Sequence, residues 1–552
     1  MKRLKFLLLA TVIVVASGCE DFLDINRDPN NPSEPNIQQL LPGIQSTVGS
    51  IFSYDFGAVG YAASAFTHQL STRQPEYDNY GITGSSFAVT YWTSFYAGAL
   101  QDVELIISLG EETGNTYYAG IGKVLKAYLY STMVDLWGDI PFSEANVPGI
   151  ASPVFDDDEA IYGSCLDLLD AAVIDFADEE AENLVTPGDD DLIYNGDVDS
   201  WIAAANTIKL KLMVQVQDVD LYDQTEVDAL LDGTLISSWG ESFNIPYGPS
   251  STPDDRHPAF VAEYGGGQIS NYISPWLYEI MQGVNPDILT GVTDPRVPYY
   301  FVNQITDGTT ENPPEYQDGN FVSIYFGSTG LNRDHAGRAT FTMMGIYPCG
   351  GKYDDGTGRS SGGGLTTTDG TGVVPQRLVT YADRLYLEAE LIAQGKATGD
   401  LRAVLESAIY ESLKQVDFVV DGSGTTQTVP AISGSGADTA YVDGVLAEFD
   451  AGDADRQLEI VMTQKWISSF GTSHDQYTDY RRTGYPVMFD PEDPSMAPGG
   501  FVSGGPDGTG PVPVQRTRAY PLSWPYYNDE LTLNSNAPEQ KTIATDGVFW
   551  DK

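Results

Sequence analysis

Positive charge is what this chain has least of. Its 552 residues carry 28 Lys and Arg against 78 Asp and Glu, a formal net charge of −50. Nucleic acid and anionic headgroups are bound through Lys and Arg, so this balance excludes both as partners. It also suits solubility at high salt. Cysteine is nearly absent: Cys19, Cys165 and Cys349 are too few for a disulfide framework. Cys165 falls on an apolar helical face, where a buried thiol is the usual outcome, and a Cys165–Cys349 bridge stays open as an alternative. The four histidines, His68, His257, His335 and His474, show no zinc-type spacing. Apolar runs are short throughout, and none approaches the about 20 residues that a membrane span needs.

One short apolar run has a special context. Lys2, Arg3 and Lys5 precede Phe6 to Val15, which is broken only by Thr11 and ends in Ala16-Ser17-Gly18-Cys19. A basic start, a short apolar stretch and small residues mark a removable secretory signal. The arrangement resembles a bacterial lipobox, with Ala16 where Leu is usual. It implies a signal peptide over 1–18, Cys19 as the lipid attachment point and a tether over 19–36. Acyl chains hold such an anchor through about 0.8 kcal/mol per buried methylene.

Helical periodicity dominates the remainder. Tyr118, Ile121, Leu125, Tyr128, Leu129 and Leu136 form one stripe; Ile161, Cys165, Leu168, Leu169 and Ala172 another. Further stripes run from Trp201 to Leu212, from Ala382 to Ala389 and from Leu458 to Phe470. Asp156-Asp157-Asp158-Glu159 stands where a helix N-terminus favours negative charge. The pairing of helices, with small and aromatic residues at their contacts, suggests tetratricopeptide-like packing, although no strict repeat of about 34 residues is visible. Gly240 to Gly372 and Gly484 to Pro525 are rich in Gly, Pro, Asn and Thr, and long stretches of that kind are usually functional. The expected fold is mainly α, a superhelical scaffold of helix pairs with a large loop-rich ligand-binding subregion and few, short strands. A single domain over 37–552 is expected, its scaffold at about 37–235 and 375–485 and its loop-rich part at about 236–374 and 486–552.

Several segments, in order, resemble the SusD/RagB family of nutrient-binding lipoproteins. They are Val134 to Phe142 (Val-Asp-Leu-Trp-Gly-Asp-Ile-Pro-Phe), Phe155 to Leu169, Trp201 to Leu212, Asp294-Pro295-Arg296 and Asn332-Arg333-Asp334-His335. Gly345 to Pro348 with Gly350 to Tyr353, Thr380 to Asp383, and Leu387 to Glu390 follow. Gln464-Lys465-Trp466 with Tyr480 to Pro486 is the most specific, and Arg518 to Pro521, Asn534 to Asn536 and Val548 to Asp551 close the series. The resemblance spans nearly the whole chain after Cys19. It implies a non-enzymatic protein of the outer-membrane surface that captures glycans or peptides for a SusC-like TonB-dependent barrel transporter. Leu522 to Asp529 lengthens the family pattern there. The motifs themselves read as structural: Trp137, Trp201 and Trp466 as core, Arg481 and Arg482 as partners of buried carboxylates or helix ends.

Ligand contacts need a separate argument. Sugar rings lay C–H faces on aromatic planes, with polar groups reading their hydroxyls, and peptide binders use aromatics too. Aromatics in turn-rich segments are therefore the candidates: Tyr77 and Tyr80 with Arg73 as a polar contact, Trp276 from the Tyr264–Tyr278 cluster, and Tyr325 beside Phe326; Tyr299 and Tyr300 form a further cluster. Trp276 and Tyr278 fit a short core helix equally well. An oligosaccharide is the expected ligand, with an oligopeptide as the alternative and a surface-anchored glycan hydrolase as the alternative of another class. Gly358-Arg359-Ser360-Ser361-Gly362 has the Gly-x-Ser-x-Gly spacing, but it lies in a Gly/Ser/Thr stretch without the strand and helix that a nucleophile elbow needs. Asp218, Asp220 and Asp223 lack the Gly and Glu of a calcium loop. No cofactor is expected, and a structural calcium elsewhere is left open.

Overall fold

The computed structural model describes residues 36–85, 91–266, 269, 271–306, 315–330, 333, 339–358, 364–472, 474–490, 496 and 519–551. The proposed anchor at Cys19, residues 359–362 of the Gly-x-Ser-x-Gly match, Asn332, Asp334, His335 and Arg518 lie outside them. Among the described residues no helix is long and apolar enough to cross a membrane.

Helices carry the fold, as the periodicity predicts. Asn36 caps α1 (Ile37–Ile51) by accepting the Gln38 N–H at 3.0 Å. After α2 (Val59–Phe66) come α3 (Gln101–Thr113), α4 (Thr116–Trp137), α5 (Asp158–Ala177) and α6 (Val198–Gln215). Consecutive members of these four pack on one another. Gly114 ends α3 in the left-handed conformation, and Gly110 lets the start of α4 approach so closely that a Cβ would sit 2.8 Å from the Ala119 nitrogen. The acidic run before α5 does what its position suggests, with Asp157 accepting the Ala160 N–H at 3.1 Å. Asp223, from the incomplete calcium pattern, likewise caps a helix by accepting the Thr225 N–H.

The second helical set is α8 (Tyr381–Ala393), α9 (Leu401–Gly422), α10 (Ala437–Ala451) and α11 (Ala454–Ser468), followed by α12 (Asp475–Thr483). A reciprocal capping box of Thr380 and Asp383 starts α8. α8 packs on both α11 and α6, and so joins the two sets. Between them lies α7 (Pro275–Gln282) among short strands. β1 (Leu70–Thr72) pairs with β3 (Asn271–Ile273), and β2 (Phe243–Ile245) with β8 (Gln376–Val379). β4 (Phe301–Val302) pairs with β7 (Met343–Met344), and β5 (Tyr316–Asp318) with β6 (Phe321–Ser323). All four pairs are antiparallel and two-stranded, so strands here fasten loops and build no sheet core.

The motif tryptophans are core residues with their indole N–H groups satisfied. Trp201 donates to Asp191 at 2.8 Å, Trp466 to the Thr67 carbonyl at 3.0 Å and Trp137 to the Pro525 carbonyl at 3.2 Å. Arg481 donates to Asp551 and to the Asp135 carbonyl, tying the C-terminus to the end of α4. Arg482 pairs with Glu390 and Asp479. Cys165 and Cys349 are both buried and free, so no bridge joins them.

Candidate functional site

Tyr77 lies on a single helical turn, Pro75–Asp78, where Pro75 takes the first position that tolerates it and Asn79 follows the end. Its ring is 1% exposed and meets Tyr61 edge-on at 5.2 Å and Phe56 at 6.3 Å. Trp276 sits on α7, 3% exposed, donating to the Val487 carbonyl at 3.1 Å beside Phe489. Tyr325 is 1% exposed and packs on Tyr316 at 5.6 Å. Arg73 is half-buried just beyond β1. The structure thus differs from the expectation of rings held free on open loops. In turn-rich segments these rings pack inward, because loops this long need apolar cores of their own.

Tyr80 is buried too, 5% exposed, but it lies on the wall of a hollow. It holds a left-handed backbone, φ +57°. Its ring stands between Phe326 and Tyr520, and its hydroxyl meets His68 Nε2 at 3.0 Å. His68 is itself stacked on Phe326 at 3.7 Å. Beyond the ring opens a hollow of about 600 Å³, within the range of small-molecule sites. Ile82, Thr83 and Gly84 continue its wall, and Pro525, Asn528, Gln540, Lys541 and Thr542 close it from the C-terminal segment.

Pro525 and Asn528 of that far wall come from the stretch Leu522 to Asp529. Trp524 is wholly buried, and its backbone N–H donates to the Leu136 carbonyl at 2.6 Å, which docks the stretch on the end of α4. The Tyr526 hydroxyl donates to the Asp139 carbonyl at 2.9 Å. Gln540 clamps Tyr526 through both ends of its amide, accepting its N–H and donating to its carbonyl, each at 2.8 Å. Asn528 donates to Ser85 at 2.7 Å. Gly84 is required where the two walls meet, since a Cβ there would sit 2.3 Å from the Tyr526 carbonyl oxygen. Tyr527 and Asp529 turn into a neighbouring hollow of about 380 Å³ with Trp92 and Tyr96. Amides, hydroxyls and ring edges therefore alternate with Ile and Pro around the cavities, a lining suited to a polyhydroxylated ligand.

Lys541 lines the larger hollow, and its ammonium lies 5.3 Å from the centre of the Tyr526 ring. Burial pushes its pKa down, against the pull of Asp139 and Asp158. Those two carboxylates with Asp157 are the one group among the described residues with three acidic oxygens within 4.8 Å of one another. They are the residues able to hold a hard cation. Asp158 already accepts the Phe549 N–H and Asp139 the Asp158 N–H, so the cluster also serves to close the C-terminus.

Residues 29–502 match the SusD-like family model, described as starch-binding and associating with the outer membrane. No curated protein matches the chain. Among solved structures, a SusD/RagB family protein from Bacteroides thetaiotaomicron is 17% identical, with a TM-score of 0.68 over 94% of this chain and 99% of that one. A SusD homologue from Bacteroides fragilis is 17% identical, with a TM-score of 0.64 over 94% and 99%. A chitin-binding protein is 19% identical, with a TM-score of 0.67 over 94% and 100%. At such identities the likeness carries the fold.

Proposed function

This chain belongs to the SusD-like family, and on that premise we propose that it is a surface lipoprotein that binds oligosaccharides and hands them to a TonB-dependent barrel in the outer membrane. The observation that supports a glycan is the 600 Å³ hollow, which Tyr80 lines together with Asn528, Gln540, Thr83 and Thr542. Arg73, Tyr77, Trp276 and Tyr325 act in this reading through the loops they fasten, with Arg73 near enough to solvent for a direct polar contact. The protein binds and releases its ligand unchanged.

Calorimetry against a panel of oligosaccharides is the test, with malto- and chito-oligosaccharides first because of the family description and the chitin-binding structural relative. The expected result is binding with no new reducing ends. Generation of reducing ends would make the protein a hydrolase, and binding confined to oligopeptides would make it a peptide receptor. Attachment is proposed at Cys19, so Cys19→Ala should leave the membrane fraction while still folding. A detergent extract should carry the barrel transporter along with the intact lipoprotein.

A further inference from the structure

A separate hollow opens where α1 ends, and its chemistry differs from that of the first. It holds about 240 Å³, just under the roughly 300 Å³ at which drug-sized ligand sites begin, a volume that suits a small group such as a single sugar ring. Phe56 stands at its edge, 49% exposed. Tyr61 and Tyr77, both buried, meet the Phe56 ring edge-on at 5.8 and 6.3 Å and nearly perpendicular, which fixes the direction of its free face.

Three hydroxyls of the polar wall are turned as acceptors. Thr47 donates its hydroxyl hydrogen to the Gly43 carbonyl, Ser50 to that of Ser46 and Ser53 to that of Ser50. Each hydroxyl has a single hydrogen, so these three offer only lone pairs to an occupant. Asp55 adds a carboxylate with no Lys, Arg or His among the residues lining the hollow. Burial pushes its pKa up, the mark of a carboxylate taken from water without a compensating cation. Two fully buried acids do have cations of their own: Asp78 is paired with Arg333 and Asp294 with Arg296, each at 2.6 Å. The hollow therefore combines an aromatic face, three hydroxyls turned as acceptors and a carboxylate with no cation among the lining residues, in a chain whose net charge of −50 draws cations toward it.

We propose that the Phe56 hollow is a subsite for an amino sugar, with the C–H face of the ring on Phe56 and its protonated amine on Asp55. The proposal rests on the glycan-binding reading. An ammonium supplies donors to these acceptors, and a charge-assisted bond to a carboxylate is roughly twice as strong as a neutral one. N-acetylation removes that charge, while a neutral hexose offers only hydroxyls.

The test is calorimetry with tetramers of glucosamine, N-acetylglucosamine and glucose, on the parent, Asp55→Asn and Phe56→Leu. The glucosamine tetramer should bind at least tenfold more tightly than its acetylated form. Asp55→Asn should remove that preference, Phe56→Leu should weaken every sugar at this hollow, and circular dichroism should report both variants folded. If Asp55→Asn holds the glucosamine tetramer within twofold of the parent, the attraction is diffuse and the subsite is overturned. Should Asp55→Asn misfold, Phe56→Leu decides in its place, and unchanged affinity for the glucosamine tetramer would overturn the subsite equally. Equal competition by trilysine would also overturn it, since the amine alone would then be recognised. Neutral tetramers that bind while the amine adds nothing sink this inference only, whereas a failure of every sugar sinks the glycan reading itself.

Discussion

Charge is treated in opposite ways by the seam between the two helical sets and by the hollows near α1 and the C-terminus. Along the seam carboxylates meet cations: Lys211 and Asp475 at 3.1 Å, Lys465 and Asp479 at 2.8 Å, and Arg482 with Glu390. Gln217 adds a further bond to Glu390 at 2.9 Å. Burial opposes the charge on Glu390, yet Arg482 and Lys465 hold its carboxyl below the usual range. At the hollows, amides and hydroxyls line open space, and no cation is among the described residues lining the hollow with Asp55. A carboxylate taken from water is costly unless paired. The seam resolves that cost internally and so closes the scaffold. The Phe56 hollow leaves it unresolved, which fits a surface that completes itself with a ligand.

The comparison breaks most visibly at Arg482. Arg482→Ala leaves Glu390 buried opposite a void, and removing one partner of a buried pair typically costs about 3–5 kcal/mol. Denaturant unfolding should show a loss of that size with circular dichroism otherwise native. A loss below about 1 kcal/mol would mean that pairing does not close the seam.

Asp383 tests the same region by pH. Burial, helped by Asp475, lifts its carboxyl to about 6, against the Thr380 hydrogen bonds and Lys465. The folded state then binds a proton that the unfolded state releases near 4. Between about pH 4 and 6 this group alone makes stability fall as pH rises, by up to about 3 kcal/mol. Asp383→Asn keeps an acceptor for Thr380 and should flatten that part of the profile relative to the parent. Parallel profiles for the two proteins would show that Asp383 titrates normally.

At the first hollow, Tyr80→Ala removes a ring that lines the same wall system as Asn528 and Gln540. Truncating a binding-site aromatic costs about 2 kcal/mol or more, which is about thirtyfold in affinity. Calorimetry with the oligosaccharide found in the panel measures it. Binding within twofold of the parent by a folded variant would place the ligand elsewhere.

The seam is far more legible in the sequence than the hollows. Tyr118, Ile121, Leu125, Tyr128, Leu129 and Leu136 recur at helical spacing and are all buried on α4, because periodicity is local information. Arg481 and Arg482 are readable as partners of carboxylates, since a chain this short of cations spends few of them idly. The turn-rich setting points to Tyr80, but the same rule also picks Tyr77, Trp276 and Tyr325, whose rings face inward. With 33 Tyr and 22 Phe in the chain, loop aromatics serve as core for the loops, so position in a loop does not signal exposure. Asn528, Gln540 and Thr542 carry no period and reach Tyr80 only through a closure across more than 400 residues. Phe56 has one faint cue: it follows a helix end in Ser53-Tyr54-Asp55-Phe56-Gly57, where an aromatic beside a turn glycine has little to pack on.

Arg402 supplies the contrast at the small end. Like Arg482 it makes two ion pairs, to Asp450 at 3.0 Å and to Glu406 at 3.4 Å, but its side chain is 46% exposed. Water already solvates all three charges, salt screens them, and holding two long side chains together costs rotamer freedom. Exposed pairs accordingly contribute about 0–1 kcal/mol. Arg402→Ala should lower the stability measured by denaturant unfolding by less than about 1 kcal/mol, and added salt should shrink even that. The expected contrast between the two arginines comes from burial alone, since residue type and number of partners are matched. If Arg402→Ala destabilised the protein as much as Arg482→Ala, the density of negative charge on the surface would be setting stability, and the division between a closed seam and an open binding face would lose its physical basis.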